Sequence, residues 1–311
     1  MKVYKLPECV RIDRLPRGCA VCLGNFDGVH RGHQKLFDTA RDAVREGRAA
    51  ASAAWTFTTL AKPMSVAPYI TDMEAKLQLF AAYGLDYAVF EDFERVRDKD
   101  CQSFVRDYLI GKLDAAEAVC GFNFRFGHHG TGDAPLLCAL MEKYGRRCSV
   151  LQPVFRRGHI ISSSTVREII IDGDMDAAYD MLGHPFSICF PVLHGNQLGR
   201  RIGIPTINQN FPEGHIVPMG GIYACTVSVG GDLFQGVANI GTRPTVSDES
   251  RVNCETHIID YSGMLYGKKI KVDFYKLLRR EKRFESVPEL CAQIRLDIEA
   301  AKDYFKEMYG G

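Results

Sequence analysis

Apolar positions in the first half of the chain follow two alternating rhythms. Short runs of buried type, Cys19–Leu23, Ala49–Phe57, Tyr87–Phe90, Ala116–Cys120 and Cys148–Val154, read as strands. Between them apolar residues recur at helical spacing. Leu36, Ala40 and Val44 run to a stop at Gly47, and Leu77–Tyr83, Phe104–Ile110 and Leu136–Tyr144 follow. Strands that alternate with helices predict a Rossmann-type α/β unit, a parallel sheet with helices on both faces.

The rhythm changes after Leu182, where Gly183-His184-Pro185 breaks a helical pattern. Ile222–Val229, Leu233–Ala238, Thr256–Asp260 and Lys269–Leu277 are strand-like runs separated by Gly, Pro and Asn, with Gly230-Gly231 as a hairpin turn. This is an all-β reading that ends in one helix. Ser286 and Glu289 have the spacing of a capping box, and Leu290, Ile294, Ile298, Ala301 and Phe305 form a single apolar stripe expected to pack on the sheet. The expected domains are residues 1–184 and 185–311, consistent with a chain too long for one ordinary core.

Composition narrows the chemistry. A formal net charge of +1 gives no global pull toward nucleic acid or a membrane surface, so phosphate binding must be local. No apolar run is long enough to span a bilayer and Met1–Lys5 has no signal core, so a cytoplasmic protein is expected. The eleven cysteines follow no secreted spacing and read as buried small residues in a reducing compartment. Cys19 and Cys22 form a CxxC, but three apart in a strand they face opposite ways, so neither zinc nor a redox pair is expected.

Candidate chemistry begins at Gly24-Asn25-Phe26-Asp27-Gly28-Val29-His30-Arg31-Gly32-His33, which follows a predicted strand and opens a predicted helix. Such a junction attracts anions through free N–H groups and the helix dipole. Gly24, Gly28 and Gly32 permit close backbone approach, and His30 and His33 can donate to phosphate oxygens. Neither a Walker loop nor GxGxxG is present; the HxGH element is similar to that of the nucleotidyltransferase superfamily. Gly121–Gly127 carries aromatics beside the Asn123 amide, suited to a flat ring, and Ser164 with Arg167 stands where a helix start could hold phosphates. Further on, Gly199 and Gly203 allow a tight loop over phosphates. Thr206 and Asn208 share a face of an extended segment, a hydroxyl and an amide oxygen suited to Mg²⁺.

The first three segments, in this order, resemble the N-terminal half of the prokaryotic bifunctional riboflavin kinase/FAD synthetase family. The series His194–Asn208, Gly220–Ala224, Gly236–Thr245, Glu255–Ile258, Leu265–Gly267 and Leu278–Phe284 resembles its riboflavin kinase domain. The resemblance implies a six-stranded antiparallel barrel with a terminal helix in the second domain. It implies riboflavin, FMN and ATP as small-molecule substrates, FMN and FAD as products, and a divalent cation, Mg²⁺ or another. It places His30, His33, Ser164 and Arg167 on ATP phosphates and Asn123 in the ATP and flavin site. Glu255 is then the carboxylate base, Arg279 lies in the flavin loop, and Asn239 and Arg243 order a loop near the nucleotide.

The chain departs from the family pattern at several positions. Thr58 and its neighbours lack the expected acidic residue and proline, Gly130 and Thr165 replace common arginines, and Asn123 replaces an aspartate. Phe190-Pro191 replaces a Gly-basic pair often seen before the kinase motifs, and Ile204 and Ile207 replace the usual Phe and Ala while keeping apolar character. The lost cations are expected to weaken substrate binding in the first domain. A kinase with an inactive or differently specific first domain is therefore one alternative, and a flavin-binding regulatory protein without turnover is another. Glu255, Thr206 and Asn208 argue against the second, because a mere binder needs neither a base nor a metal clamp. Balanced charge and the lack of a basic-aromatic stripe argue against a nucleic-acid-binding barrel.

Overall fold

A computed structural model describes residues 1–5, 17–58, 68–195, 199, 202–243 and 251–310. By its contacts the chain forms two units, Met1–Ser163 and Ser164–Gly311. This division falls ahead of the break in pattern at Gly183.

The first unit is built on six parallel strands, β1 (Lys2–Lys5), β2 (Cys19–Leu23), β3 (Ser52–Phe57), β4 (Tyr87–Glu91), β5 (Ala115–Gly121) and β6 (Arg147–Leu151). They lie in the order β1-β4-β3-β2-β5-β6. The chain moves outward from β2 through β3 to β4, then crosses back to place β5 on the other side of β2. That reversal opens a crevice at the carboxyl ends of β2 and β5, the position where open α/β sheets bind ligands.

Both faces of this sheet are covered. Leu36, Phe37, Ala40 and Ala43 of α1 (Arg31–Arg45) and Phe80 of α2 (Met73–Ala82) pack on one side with Cys22, Ala54 and Val119. Val105 and Leu109 of the segment Phe104–Lys112 and Leu137 and Met141 of α3 (Ala134–Lys143) pack on the other with Cys19, Trp55 and Cys120. Cys19 and Cys22 thus enter different cores, and burial pushes the Cys19 thiol up to about 12. The helical segment expected at Phe104–Ile110 is present as a π-helix over Phe104–Lys112. A two-stranded hairpin, β7 (Phe155–Arg156) and β8 (His159–Ile160), precedes α4 (Ser163–Ile171) and α5 (Met175–Leu182).

The second unit contains six antiparallel strands. They are β9 (Phe186–Pro191), β10 (Thr206–Asn210), β11 (Gly221–Val229), β12 (Asp232–Arg243), β13 (Arg251–Ile258) and β14 (Lys269–Arg280), in the order β10-β13-β12-β11-β14-β9. The two edges of this sheet meet. Leu193, just past β9, forms a bridge to Asn208, with its N–H on the Asn208 carbonyl at 2.8 Å. The buried Gln209 amide donates to the carbonyls of Phe190 and Ile270 at 2.7 and 2.8 Å, tying β10 to β9 and β14. A barrel results, and closure removes the exposed strand edges that an open sheet would leave.

The terminal helix α6 (Val287–Tyr309) starts at Ser286, whose hydroxyl accepts from the Glu289 N–H. The Glu289 carboxylate reaches back to the N–H of Glu285 rather than to that of the cap itself. Ala301 and Phe305 are fully buried against Ile222, Ala224 and Val237 of the barrel's outer face. Phe305→Ala should therefore cost about 3–5 kcal/mol. Urea unfolding followed by circular dichroism should register this loss, with hydrogen-exchange protection falling first at the β11 and β12 amides.

Candidate functional sites

The loop between β2 and α1 carries residues 24–30 through an unusual path. Phe26, Gly28 and Val29 have φ values of 50°, 80° and 42°, the left-handed region that only glycine enters freely. Phe26 and Val29 are fully buried, which anchors the path on its apolar side. On the polar side the Asp27 carboxylate is 1% exposed and accepts from Ile70 N at 2.9 Å, Thr71 N at 3.0 Å and the Thr71 hydroxyl at 3.2 Å. The Thr71 hydroxyl oxygen in turn accepts from Gly28 N at 3.0 Å, and Ser163 Oγ donates to the Asp27 carbonyl at 2.8 Å. Asp27 and the Gly28 amide are thus engaged in shaping the loop, and the Gly24 N–H is taken by the Trp55 carbonyl.

The loop delivers two imidazoles side by side. His30 caps α1, its Nδ1 accepting from His33 N at 3.3 Å, and the two rings stack with centroids 3.6 Å apart. A Cβ at Gly32 would stand 3.1 Å from the His30 ring, so the absence of a side chain leaves room for the stack. Among the described residues, His33 Nδ1 and Asn25 Oδ1 are buried without a hydrogen-bond partner. Burial first, then the positive neighbours His30 and Lys76, hold His33 well below its ordinary 6.5. Asn123 is on the turn after β5 and lies over Gly121, where a Cβ would meet its Oδ1 at 3.2 Å. Because β5 pairs with β2 in parallel, the Asn123 turn and the histidine loop leave the same edge of the sheet.

Ser164 and Arg167 are on α4, immediately beyond the division between the units, and are described with the second unit. Thr165 lies on the same helix, and Gly130 ends a short 3₁₀ turn with a φ of 66°. Thr58 follows β3, its N–H on the Glu91 carbonyl at 2.9 Å; Thr59–Pro63, where the family pattern also departs, lie outside the described residues.

The second unit assembles its candidate residues on the barrel face that α6 covers. Asn208, Glu255 and Asn239 stand abreast across β10, β13 and β12, so their side chains share that face. Asn253, two residues before Glu255, donates from one amide nitrogen to Asn208 Oδ1 and Glu255 Oε1, both at 3.2 Å. Two cavities open here. One of about 280 Å³ is lined by Glu255, Asn239, Arg279, Leu290 and Ile294 among others. The other, about 270 Å³, is lined by Gly195, Asn208, Tyr261 and Tyr266, and Thr206 belongs to the walls of both.

The Arg279 side chain is drawn largely out of solvent. Its guanidinium makes a two-pronged contact with the buried Asp297 carboxylate of α6, at 2.8 and 2.7 Å, and Gln293 adds a bond to the same carboxylate at 3.0 Å. Gly199 and Ile204 close a tight loop through the Ile204 N–H on the Gly199 carbonyl at 2.8 Å, and Gly203 supplies its left-handed turn at φ 76°. Residues 196–198 and 200–201 of this loop lie outside the described residues, as do the side chain of Arg243 and the motif residues Pro244 and Thr245.

Asn253 and Asp297 are the residues missed from sequence. Asn253 alternates with Glu255 along one strand and so shares its face, a signal that period-two reading exposes. Asp297 sits inside the apolar stripe of α6, three residues after Ile294 and four before Ala301. A charge on an apolar face is itself a signal.

An α/β nucleotide-binding unit followed by a small barrel with a carboxylate beside a hydroxyl–amide pair defines a two-site, phosphate-handling class of protein. The FAD synthetase family matches residues 12–165 and the riboflavin kinase family residues 182–305. Curated relatives named bifunctional riboflavin kinase/FMN adenylyltransferase include those of Escherichia coli K12, 37% identical over 93% of each chain, and Bacillus subtilis 168, 33% identical over 93% of each. A crystal structure of a protein named macrolide-efflux protein from Streptococcus pneumoniae superposes with a TM-score of 0.83 at 27% identity, covering 92% of this chain and 94% of that one. The chain belongs to the bifunctional riboflavin kinase/FMN adenylyltransferase family. Among the described residues no helix is long and apolar enough to cross a membrane.

Two measurements test this geometry. Asp27→Ala leaves two buried N–H groups without their acceptor and should destabilise the first unit by about 3 kcal/mol, read from the fluorescence of Trp55 during urea unfolding. The His33 imidazole should keep its neutral NMR shift as pH falls through 6.5, because its folded pKa is lowered. The unfolded chain takes up that proton near 6.5 and the folded one does not. This contribution to stability is therefore complete above 6.5 and lost progressively below it, and His33→Asn should remove that part of the acid sensitivity.

Proposed function

We propose that the protein makes FMN and then FAD. Its second unit phosphorylates riboflavin with ATP, and its first unit transfers an adenylyl group from ATP to FMN. The observation that carries the reading is the pair of cavities meeting at Thr206, one holding Glu255 and Arg279 and the other Asn208 and Gly195. A phosphoryl transfer between two substrates needs such adjoining chambers, with the acceptor hydroxyl beside a base and the donor phosphates beside cation ligands.

In the kinase step Glu255 accepts the proton of the ribityl 5′-hydroxyl as that oxygen bonds to the γ-phosphorus, and ADP leaves. Arg279, fixed by Asp297, forms part of the flavin wall together with Leu290 and Ile294. Thr206 and Asn208 are the residues that would hold Mg²⁺, which when bound spreads the negative charge of the phosphates. The fit is supported by the donor set. Asn208 Oδ1 accepts a bond from Asn253, and a Cβ at Gly195 would press within 2.8 Å of its amide atoms. Asn239 and the Gly199–Gly203 loop border the same chamber.

In the adenylyl-transfer step a phosphate oxygen of FMN attacks the α-phosphorus of ATP and pyrophosphate leaves. His30 and His33 donate to the phosphates, with Gly24, Asn25, Phe26, Asp27, Gly28 and Gly32 shaping their loop. Ser164 and Arg167 add phosphate contacts, and Asn123 bonds the ring that settles at the crevice. All ten described cysteines are free thiols, which fits work in a reducing cytoplasm.

One chromatographic assay separates the two halves. With Mg²⁺ and ATP, Glu255→Gln should lose FMN formation from riboflavin by about a hundredfold or more while still converting supplied FMN to FAD. The double variant His30→Ala with His33→Ala should do the reverse. Undiminished FAD formation in the histidine variant would remove the first-unit assignment, and undiminished FMN formation in Glu255→Gln would remove the base.

A further inference from the structure

Asn253 is 3% exposed on β13, two residues before Glu255, and belongs to the walls of neither cavity. Its place in the register gives it reach. Glu255 pairs with Asn208 across β13 and β10, and Asn253 stands one step along the same face, diagonal to Asn208. The Asn253 amide nitrogen carries two hydrogens, and two acceptors lie 3.2 Å from it, Asn208 Oδ1 and Glu255 Oε1. Asn208 lines one chamber and Glu255 the other, so a single buried nitrogen links the two.

Chemistry fixes which end of the amide makes this link. A carboxylate that serves as a base offers only acceptor oxygens, so the atom of Asn253 that faces Glu255 must be its nitrogen. The same nitrogen calls for an oxygen from Asn208. That turns the Asn208 amide so that its oxygen, the atom a cation takes, stands on the side of Glu255. The arrangement works against the remaining atom of Asn253, since its Oδ1 is buried and, among the described residues, accepts no hydrogen bond. We propose that Asn253 is a positioning residue of the kinase site, its amide nitrogen fixing the Glu255 carboxylate and the Asn208 oxygen relative to each other. This rests on the riboflavin kinase reading of the second unit, with Glu255 as base and Asn208 as cation ligand. In-line transfer tolerates little displacement of either group, so holding both from one atom keeps the acceptor hydroxyl aligned with the donor phosphates.

The test compares the full-length parent with Asn253→Leu, which keeps the shape of the side chain and has no donor. The kcat for riboflavin phosphorylation should fall about tenfold or more while the KM for riboflavin stays within about twofold, because other residues form the flavin wall. Calorimetry of ADP binding at increasing Mg²⁺, with no turnover, should show the Mg²⁺ requirement raised about threefold or more. Asn253→Asp sets acceptor oxygens against two acceptors, so its kcat should fall further. Rates are taken per folded molecule, counted by the riboflavin bound at saturation. A parental kcat or a parental Mg²⁺ requirement in Asn253→Leu would overturn the proposal, as would a kcat loss matched by an equal rise in the KM for riboflavin.

Should the Asn253 variants fail to fold, the parent protein decides. Its crystal structure with Mg²⁺, ADP and riboflavin should show Asn253 Nδ2 within hydrogen-bond distance of both Asn208 Oδ1 and the Glu255 carboxylate. A complex in which Asn253 has left either partner refutes the role. If the parent protein forms no FMN from riboflavin, the kinase reading itself fails and the role of Asn253 falls with it. If it forms FMN and Asn253→Leu matches it, only the proposal for Asn253 fails.

Discussion

The first site depends on one buried carboxylate. The loop that presents His30 and His33 contains Phe26 and Val29 in the left-handed region, and a β-branched residue there is a true outlier. Each such residue costs roughly 1–3 kcal/mol, and the path persists only because its surroundings over-determine it. Asp27 supplies most of that restraint through Ile70 and Thr71, and the burial of Phe26 and Val29 supplies the rest. The stack of two imidazoles, the room that Gly32 leaves for it, and the docking of α2 against the loop all depend on the path being held. A carboxylate with nothing to accept from would have to take up a proton or leave the interior, and the loop would relax with it.

The second unit applies the same constraint at a helix. Arg279 and Asp297 place opposite charges between β14 and α6, largely out of solvent. The pair joins the helix to the wall that contains Glu255, so α6 has two roles along its length. Ala301 and Phe305 pack on the barrel, while Leu290 and Ile294, nearer the helix start, line the cavity. Closure of the barrel at Leu193 and Asn208 has a related effect. It fixes the backbone of Asn208 from one side while the side chain meets Asn253 from the other, so both atoms that define this position are held before any ligand arrives.

Much of this was legible in the residues, and the gaps have physical causes. The α/β rhythm of the first unit was readable because its central strands are buried on both faces and appear as unbroken apolar runs. Edge strand β1, Lys2–Lys5, has a lysine at each end of only four residues, too short to show a period. Strand β9 has a clear period of two in Phe186, Ile188 and Phe190, masked by its position directly after Gly183-His184-Pro185. Strand β10 was readable only as an extended piece, since Thr206–Asn210 is almost entirely polar and belongs to the barrel through backbone pairing. No sequence rule separates a π-helix from an α-helix, and Phe104–Lys112 shows why, since its buried residues Phe104, Val105, Tyr108 and Leu109 also fit the α period. At the sites, motif residues were visible because they cluster along the chain. Asn253 and Asp297 were not, because Asn208 and Arg279, the partners that place them at the sites, come from other strands.

Asp297 bears on what a buried charge can be for. It interrupts the apolar stripe of α6 and is about as buried as Ala301 and Phe305, which seat that stripe on the barrel. Replacing a buried ion pair with well-packed apolar side chains is often neutral or stabilising, so packing gives little reason for charge there. The cavity wall gives one, since Asp297 fixes the direction of the Arg279 guanidinium beside the chamber that Glu255 lines. A charged residue on the apolar face of α6 is therefore a feature of this sequence that leads from the helix to the site.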